Sequence, residues 1–186
     1  MRIINFNVEY IMNHMEKVQQ LYAKGCEFKN KGLIKDAICE FSRTIIMIHL
    51  VFKTENFDRD SELRFVKEIQ IPCFLKLCVC YLKAQEEVSK VVVLCSDVLE
   101  IDSNNAKAYF LRAQALDSTH QFDKALKDIA KARENQPENV KFREFQVNVR
   151  KKKKEAELKP RITLSNLTLI GKILLSLCKH RKLSII

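Results

Sequence analysis

A helical pattern 34 residues long, from Ala106 to Asn139, constrains the fold of this chain more than any other feature of its sequence. Bulky and small residues recur in it three and four positions apart, and a proline follows near its end. These positions are Tyr109, Ala113, Leu116, Ala125, Ile129, Ala132 and Pro137. Residues at that spacing share one helix face, and small side chains let two helices cross closely. We therefore predict a hairpin with helix A at about Asn105–Ser118 and helix B at about Phe122–Asn135.

Two further copies of the pattern lie upstream of this hairpin. The second copy closes at Asp102–Asn105, 34 residues before the end of the third, and the first has Gly32 where helix A would end in a left-handed cap. Their packed faces carry Leu21, Gly25, Phe28, Ala37, Phe41, Phe74, Leu77, Cys78, Tyr81, Val91, Cys95 and Val98. A single hairpin cannot bury its own apolar face, so the copies must stack on each other.

A period of 34 residues is that of the tetratricopeptide repeat (TPR), a helix–turn–helix unit. We predict an all-α TPR superhelix of three helix pairs and a C-terminal capping helix, whose packed face carries Phe142, Phe145 and Val149. The predicted units are repeats at about 18–51, 71–105 and 106–139, a cap at 139–159 and a basic, apolar tail at 160–186 that is peripheral or disordered. Only three Gly and three Pro argue against a β-sheet. An unrelated helical bundle is the alternative.

About 20 additional residues, Phe52 to Ile71, separate the first two repeats. Their ends continue the flanking helical patterns, so we expect a long helix B, a polar turn around Asn56–Ser61 and a long helix A. Pro72 has no backbone N–H, so it should kink the second of these helices or mark a start inside it.

Basic residues are concentrated at the C-terminal end of the chain. Residues 138–186 carry 13 Lys/Arg against four Asp/Glu, whereas residues 1–137 carry 20 against 19. The centre of the excess is Arg150, Lys151, Lys152, Lys153 and Lys154. A basic amphipathic helix can bind calmodulin or an anionic membrane surface, or its lysines can simply solvate a projecting helix. No aromatic residues interleave with the lysines, so we do not expect a nucleic-acid partner.

Neither the cysteines nor the histidines form a pattern that indicates chemistry. Seven cysteines without a spaced framework suit a reducing compartment, so we predict the cytoplasm and leave the nucleus open. Cys78 and Cys80 point to different helix faces, and packing explains them better than a metal does. The four histidines are scattered and the three glycines isolated, so we predict no catalytic site, no metal and no cofactor.

The two ends of the chain carry no clear targeting or membrane signal. Met1–Glu16 is too polar for a signal peptide. Ile162–Cys178 is mostly apolar but short and interrupted by polar residues, so we expect a surface-lying or disordered segment. A tail anchor is the alternative.

The segment from about Lys17 to Arg150 resembles the TPR domain of the large immunophilins and the aryl-hydrocarbon-receptor-interacting protein group. The insertion, Ile71-Pro72 followed by residues 75–80, and the run Lys107–Ala113 carry the resemblance. It implies a groove of A helices that grips the C-terminal Glu-Glu-Val-Asp tail of heat-shock chaperones, with Lys, Arg and Asn side chains on the terminal carboxylates. The family's isomerase-like domain has no counterpart here, so no prolyl-isomerase activity is implied.

At the clamp positions that the resemblance assigns, this chain differs from the family. In the first repeat, Tyr22 stands in place of Lys and Cys26 in place of Asn. In the second repeat, Lys76 replaces Asn, and in the third repeat the family's Lys is kept as Lys107. The added cation keeps the groove suited to an acidic peptide, although not by the family's geometry.

The clamp arginine is also displaced. Its position holds Leu111, and Arg112 follows at the next position. Arg112 is a candidate groove residue, but the direction of its guanidinium decides whether it can bind a carboxylate with two bonds.

These observations predict a non-enzymatic adaptor of the co-chaperone type. It would bind an acidic or C-terminal peptide, such as the tail of a heat-shock chaperone, in the concave groove through a degenerate carboxylate clamp. The alternative is a structural assembly subunit that uses its convex face or its basic C-terminal helix, because the fold alone does not determine function.

Overall fold

Helices make up nearly all of the chain that the computed structural model describes, which is residues 2–54, 59–158 and 171. No strand occurs in these residues, so the predicted all-α class is confirmed. The helices are α1 (Arg2–Asn30), α2 (Ile34–Thr54), α3 (Arg59–Phe65), α4 (Ile71–Ala84), α5 (Val88–Ile101), α6 (Ala106–Ser118), α7 (Phe122–Asn135) and α8 (140–158).

Consecutive helices pack as pairs, α1 with α2, α4 with α5 and α6 with α7. Each pair also packs on the next, through α2 with α4 and α5 with α6. Helix α3 and a π-helical turn run into α4 without a break, so the described residues form the predicted seven helices once this run is counted as one. The stacking of pairs is that of a TPR superhelix, as predicted.

The helices of the third hairpin, α6 and α7, lie where the sequence pattern predicts them. The side chain of Asn105 caps α6 by accepting a hydrogen bond of 3.0 Å from the backbone N–H of Ala108. Ala113 and Ala125 are fully buried, which lets α6 and α7 cross closely. The turn between them includes His120 at φ 59°, a left-handed conformation.

The first hairpin depends on two glycines for different reasons. A Cβ on Gly25 would lie 2.8 Å from the buried ring of Phe41, so only glycine allows α1 to approach α2 this closely. Gly32 has φ 79°, which confirms the predicted left-handed cap at the end of α1.

The insertion between the first two repeats extends both flanking helices. Residues 55–58 lie outside the described part, and α3 already begins at Arg59, inside the predicted turn Asn56–Ser61. Asp60 and Glu62 lie in its first turn, where acidic residues favour a helix start. A small separate core of Val18, Ile48, Val51 and Phe65 joins α3 to the middle of α1 and the C-terminal half of α2.

Pro72 marks a start inside the second long helix. It lies in the first turn of α4, directly after the π-helical turn Val66–Gln70. The N–H of Ile71 bonds to the carbonyl of Val66, five residues earlier. The wider turn accommodates the residue that cannot donate to the helix ladder.

The capping helix α8 docks on both helices of the third pair. The ring of Phe142 is buried, and its centroid lies 4.9 Å from that of Phe110 on α6, while Phe145 is only half-buried at 5.3 Å from the same ring. Val149 is fully buried in the same cluster. Arg133 on α7 donates a hydrogen bond of 2.5 Å to Gln146. The cap therefore closes the apolar surface of the third repeat.

No helix among the described residues has both the length and the apolar character that a membrane span needs. The predicted tail at 160–186 lies outside the described part of the chain except for Gly171.

Candidate peptide-binding groove

The A helices α1, α4 and α6 lie side by side, with α4 in contact with both of the others. They carry the candidate groove residues Tyr22 and Cys26 on α1, Lys76 on α4, and Lys107 on α6. Because the A helices line the concave surface of a TPR array, a side chain shared by their facing sides lies in the groove.

Tyr22 and Lys76 meet across the first and second repeats. The Nζ atom of Lys76 lies 5.7 Å from the centroid of the Tyr22 ring, which is within the range of a cation–π contact. Burial and the neighbouring thiols of Cys26 and Cys73 raise the pKa of Tyr22 to about 12. The hydroxyl therefore stays protonated at neutral pH and can donate a hydrogen bond.

Lys107 belongs to the same cluster of charges. Its pKa is lowered from the ordinary value of 10.5, first by partial desolvation and then by the positive charges of Lys76 and Lys29. Three lysines, one from each A helix, therefore converge on the groove.

The sequence analysis missed Lys29. It lies seven residues after Tyr22 and three after Cys26, which is the spacing of residues on one helix face. The signal was therefore present, but the family's clamp has no member at that turn of the first helix.

Two buried thiols lie close to these lysines. Cys73 is fully buried, and burial raises its pKa to about 12. Burial also raises the pKa of Cys80, which is close to Lys29 and Lys76. These thiols stay protonated at neutral pH, where an S–H is only a weak hydrogen-bond donor.

Arg112 points to the third hairpin and not to the lysines. Its Nε and one terminal nitrogen donate to the two carboxylate oxygens of Asp128 at 2.7 and 2.8 Å, and the other terminal nitrogen donates to Ser96 at 3.0 Å. Leu111 is buried in the core. The structure thus brings together the other four candidate groove residues with Lys29, and it commits Arg112 to an internal pair.

Two of the five basic residues at 150–154 in α8 contact carboxylates of the third hairpin. Lys152 contacts the buried carboxylate of Asp117 at 2.5 Å, and Lys153 contacts Asp123 at the same distance. The expectation that these two lysines only solvate a projecting helix is therefore wrong, because they fasten α8 to the third hairpin. Arg150, Lys151 and Lys154 are exposed. Among the described residues, no group of three or more His, Cys, Asp or Glu side chains could hold a metal ion.

Comparison with known proteins relates this chain to part of a group of peptidyl-prolyl isomerases. No protein-family model matches the chain. Peptidyl-prolyl cis-trans isomerase FKBP4 is 28% identical in Rattus norvegicus and 27% identical in Homo sapiens, over 131 residues that make up 69% of this chain. The chain spans 28% of the length of these relatives, and their FKBP-like isomerase domain is not part of the 186 residues.

Two solved TPR structures share the fold of this chain. The C-terminal TPR-containing domain of PFL2275c from Plasmodium falciparum superposes with a TM-score of 0.70 and 28% identity over 79% of this chain and 95% of that domain. The first TPR of Spaghetti (RPAP3), bound to the HSP90 peptide SRMEEVD, has a TM-score of 0.57 and 15% identity over 73% of this chain and 92% of that one. TPR domains are protein-interaction modules. These comparisons give no support to the predicted calmodulin and membrane partners. The chain is a tetratricopeptide-repeat domain homologous to the C-terminal TPR region of FKBP4 and of PFL2275c.

Proposed function

We propose that this domain is an adaptor that binds an acidic peptide, such as the tail of a heat-shock chaperone, in the groove of its A helices. The observation that carries the proposal is that Lys29, Lys76 and Lys107 lie on the three adjacent A helices, with Lys76 against the ring of Tyr22. In agreement, the pKa of Lys107 is lowered first by desolvation and then by the charges of Lys76 and Lys29. Three cations that repel one another in a groove gain from a ligand that supplies carboxylates.

The comparisons support the class of ligand. The first TPR of RPAP3 holds an HSP90 peptide that ends in Glu-Glu-Val-Asp. That peptide presents four carboxylates on its last four residues, and the groove of this chain presents three lysines. Charge complementarity of this kind steers encounter and fixes a partner's orientation.

Titration calorimetry with the peptide SRMEEVD at low salt tests the proposal. We expect binding that weakens as salt rises, because exposed charge pairs are screened. Lys107→Glu should reduce the affinity by at least about tenfold, since reversal both removes an attraction and adds a repulsion.

Lys127→Glu is the matched control, because it makes the same change of charge at an exposed lysine of α7, a helix B. It should change the affinity by no more than about threefold. Absence of heat with the wild-type protein, or an equal loss in both variants, would contradict the proposal.

An assembly role for the convex face has one supporting observation. Ile46 on α2 and Val93 on α5 are 60% and 59% exposed, and they border an apolar groove between these two B helices. Exposed apolar patches mark interaction sites. If Ile46→Lys removed a protein partner that charge reversal in the lysine groove left bound, the convex face would be the functional surface.

A further inference from the structure

We infer that the groove recognises the acidic side chains of a segment and does not require a free C-terminus. This inference rests on the proposed function, because it specifies the ligand of the same groove. It differs from the clamp that the family resemblance implies, in which fixed donors bind the terminal carboxylates.

The cations of the groove are free to meet a ligand. Lys29, Lys76 and Lys107 form no ion pair with any described residue, whereas Lys24 on α1 pairs with Glu40 at 3.2 Å. The Nζ atom of Lys29 has one hydrogen bond in the described part of the chain, a bond of 3.2 Å to the side chain of Asn30. The three ammonium groups come from three successive repeats, so an extended acidic segment can meet them one after another.

Donors of fixed direction are lacking at the clamp positions. Cys26 presents a thiol where the family has an amide, Leu111 is buried, and the guanidinium of Arg112 is bound to Asp128. The hydroxyl of Tyr22 neighbours the thiol of Cys26, and its pKa is raised to about 12, first by burial and then by this thiol. A thiol is a weak donor, and a lysine is a point charge on a flexible stem, so none of these groups fixes the position of one particular carboxylate.

Such a groove does not distinguish a terminal carboxylate from that of an Asp or Glu side chain. Each contributes one negative charge, and each is worth the interaction of one exposed ion pair. An acidic segment inside a chain should therefore bind nearly as well as one at its end.

Four peptides test this inference. They are SRMEEVD with a free end, the same peptide with an amidated end, the free-ended peptide with its Asp replaced by Asn, and SRMEEVD extended by Gly-Ser-Gly-amide. The second and third each lose one negative charge, so they are matched in charge and differ only in which carboxylate is lost. We expect these two to bind within about threefold of each other, and the extended peptide within about fivefold of the first.

If amidation and extension each reduce the affinity at least about tenfold more than the Asn replacement does, the groove requires a free C-terminus. The inference is then overturned while the proposed function stands. If none of the four peptides binds, the proposed function fails, and the inference fails with it.

Lys29 supplies a second test. Lys29→Gln should weaken the free, amidated and extended peptides by the same factor, about two- to fivefold. Lys127→Gln removes the same charge from α7 and should leave all three unchanged. An effect of Lys29→Gln on the free-ended peptide alone would indicate that Lys29 binds a terminal carboxylate, and it would overturn the inference.

Discussion

Basic side chains have different partners in the groove and at the contact between the third hairpin and its cap. In the hairpin and cap, Arg112, Lys152 and Lys153 are paired with Asp128, Asp117 and Asp123. In the groove, Lys29, Lys76 and Lys107 form no ion pair with a described residue, and the pKa of Lys107 is lowered by desolvation and by the charges of Lys76 and Lys29. The difference shows that the number of charges does not tell which of them are paired. The C-terminal half of the cap has the denser charge, but Lys152 and Lys153 already contact carboxylates of the third hairpin.

The largest expected effect is a loss of stability when the packing of the capping helix α8 is removed. Phe142→Ala should lower the free energy of unfolding by about 3–5 kcal/mol, because it removes a buried ring from the contact with Phe110. Phe145→Ala should cost about half as much, because that ring is half-buried. Urea denaturation measures both. Equal losses would mean that the two rings stabilise the cap equally, which would contradict their different burial.

The second-largest effect is expected when the ion pair between Arg112 and Asp128 in the third hairpin is broken. Asp128→Ala leaves the guanidinium of Arg112 without its two-bond partner in a partly buried site, and it should cost about 2–3 kcal/mol. The affinity for SRMEEVD should not change by more than about twofold. A larger change of peptide affinity in a folded Asp128→Ala protein, in either direction, would mean that Arg112 acts on the groove.

The basic run of α8 gives a matched comparison between neighbours. Lys152→Ala leaves the buried carboxylate of Asp117 without its cation, so it should destabilise the domain by about 1 kcal/mol. Lys151→Ala removes an exposed lysine whose Nζ lies 4.0 Å from Glu155, and it should be neutral within about 0.5 kcal/mol. Thermal unfolding of the two variants separates the fastening lysine from the solvated one. If the two variants have the same melting temperature, the contact of Lys152 with Asp117 contributes nothing to stability.

Local pattern was sufficient to predict the helices but not the pairing of their side chains. The bounds of α7 and the cap at Gly32 follow from residues a few positions apart, and the structure confirms them. The bond from Arg112 to Asp128 joins residues 16 positions apart, and the bond from Lys152 to Asp117 spans 35. Contacts over such separations depend on how two helices pack against each other, which the residue spacing along one helix does not determine.

The sequence predicted only those groove residues that stand at the clamp positions implied by the family resemblance. Lys76 and Lys107 were found because they occupy such positions on successive A helices. Lys29 was missed because it lies one turn beyond them, and Arg112 could not be assigned because its direction is set by Asp128 on another helix. Sequence spacing locates a residue on a helix face, and only the packed structure tells which partner it meets.

The smallest expected effect tests the groove directly, without any peptide. The pKa of Lys107 is lower in the folded protein than its ordinary value, so the charged form costs stability at neutral pH, and this cost disappears as pH rises through the interval between the lowered pKa and 10.5. Lys76→Gln removes one of the two neighbouring charges. It should therefore raise the pKa of Lys107, and it should increase stability at pH 7 by no more than about 0.5 kcal/mol, because water screens these charges. Nuclear magnetic resonance titration of the lysine side chains measures the pKa. Lys127→Gln should leave it unchanged, and an unchanged value in the Lys76→Gln protein would mean that the lysines do not share one groove.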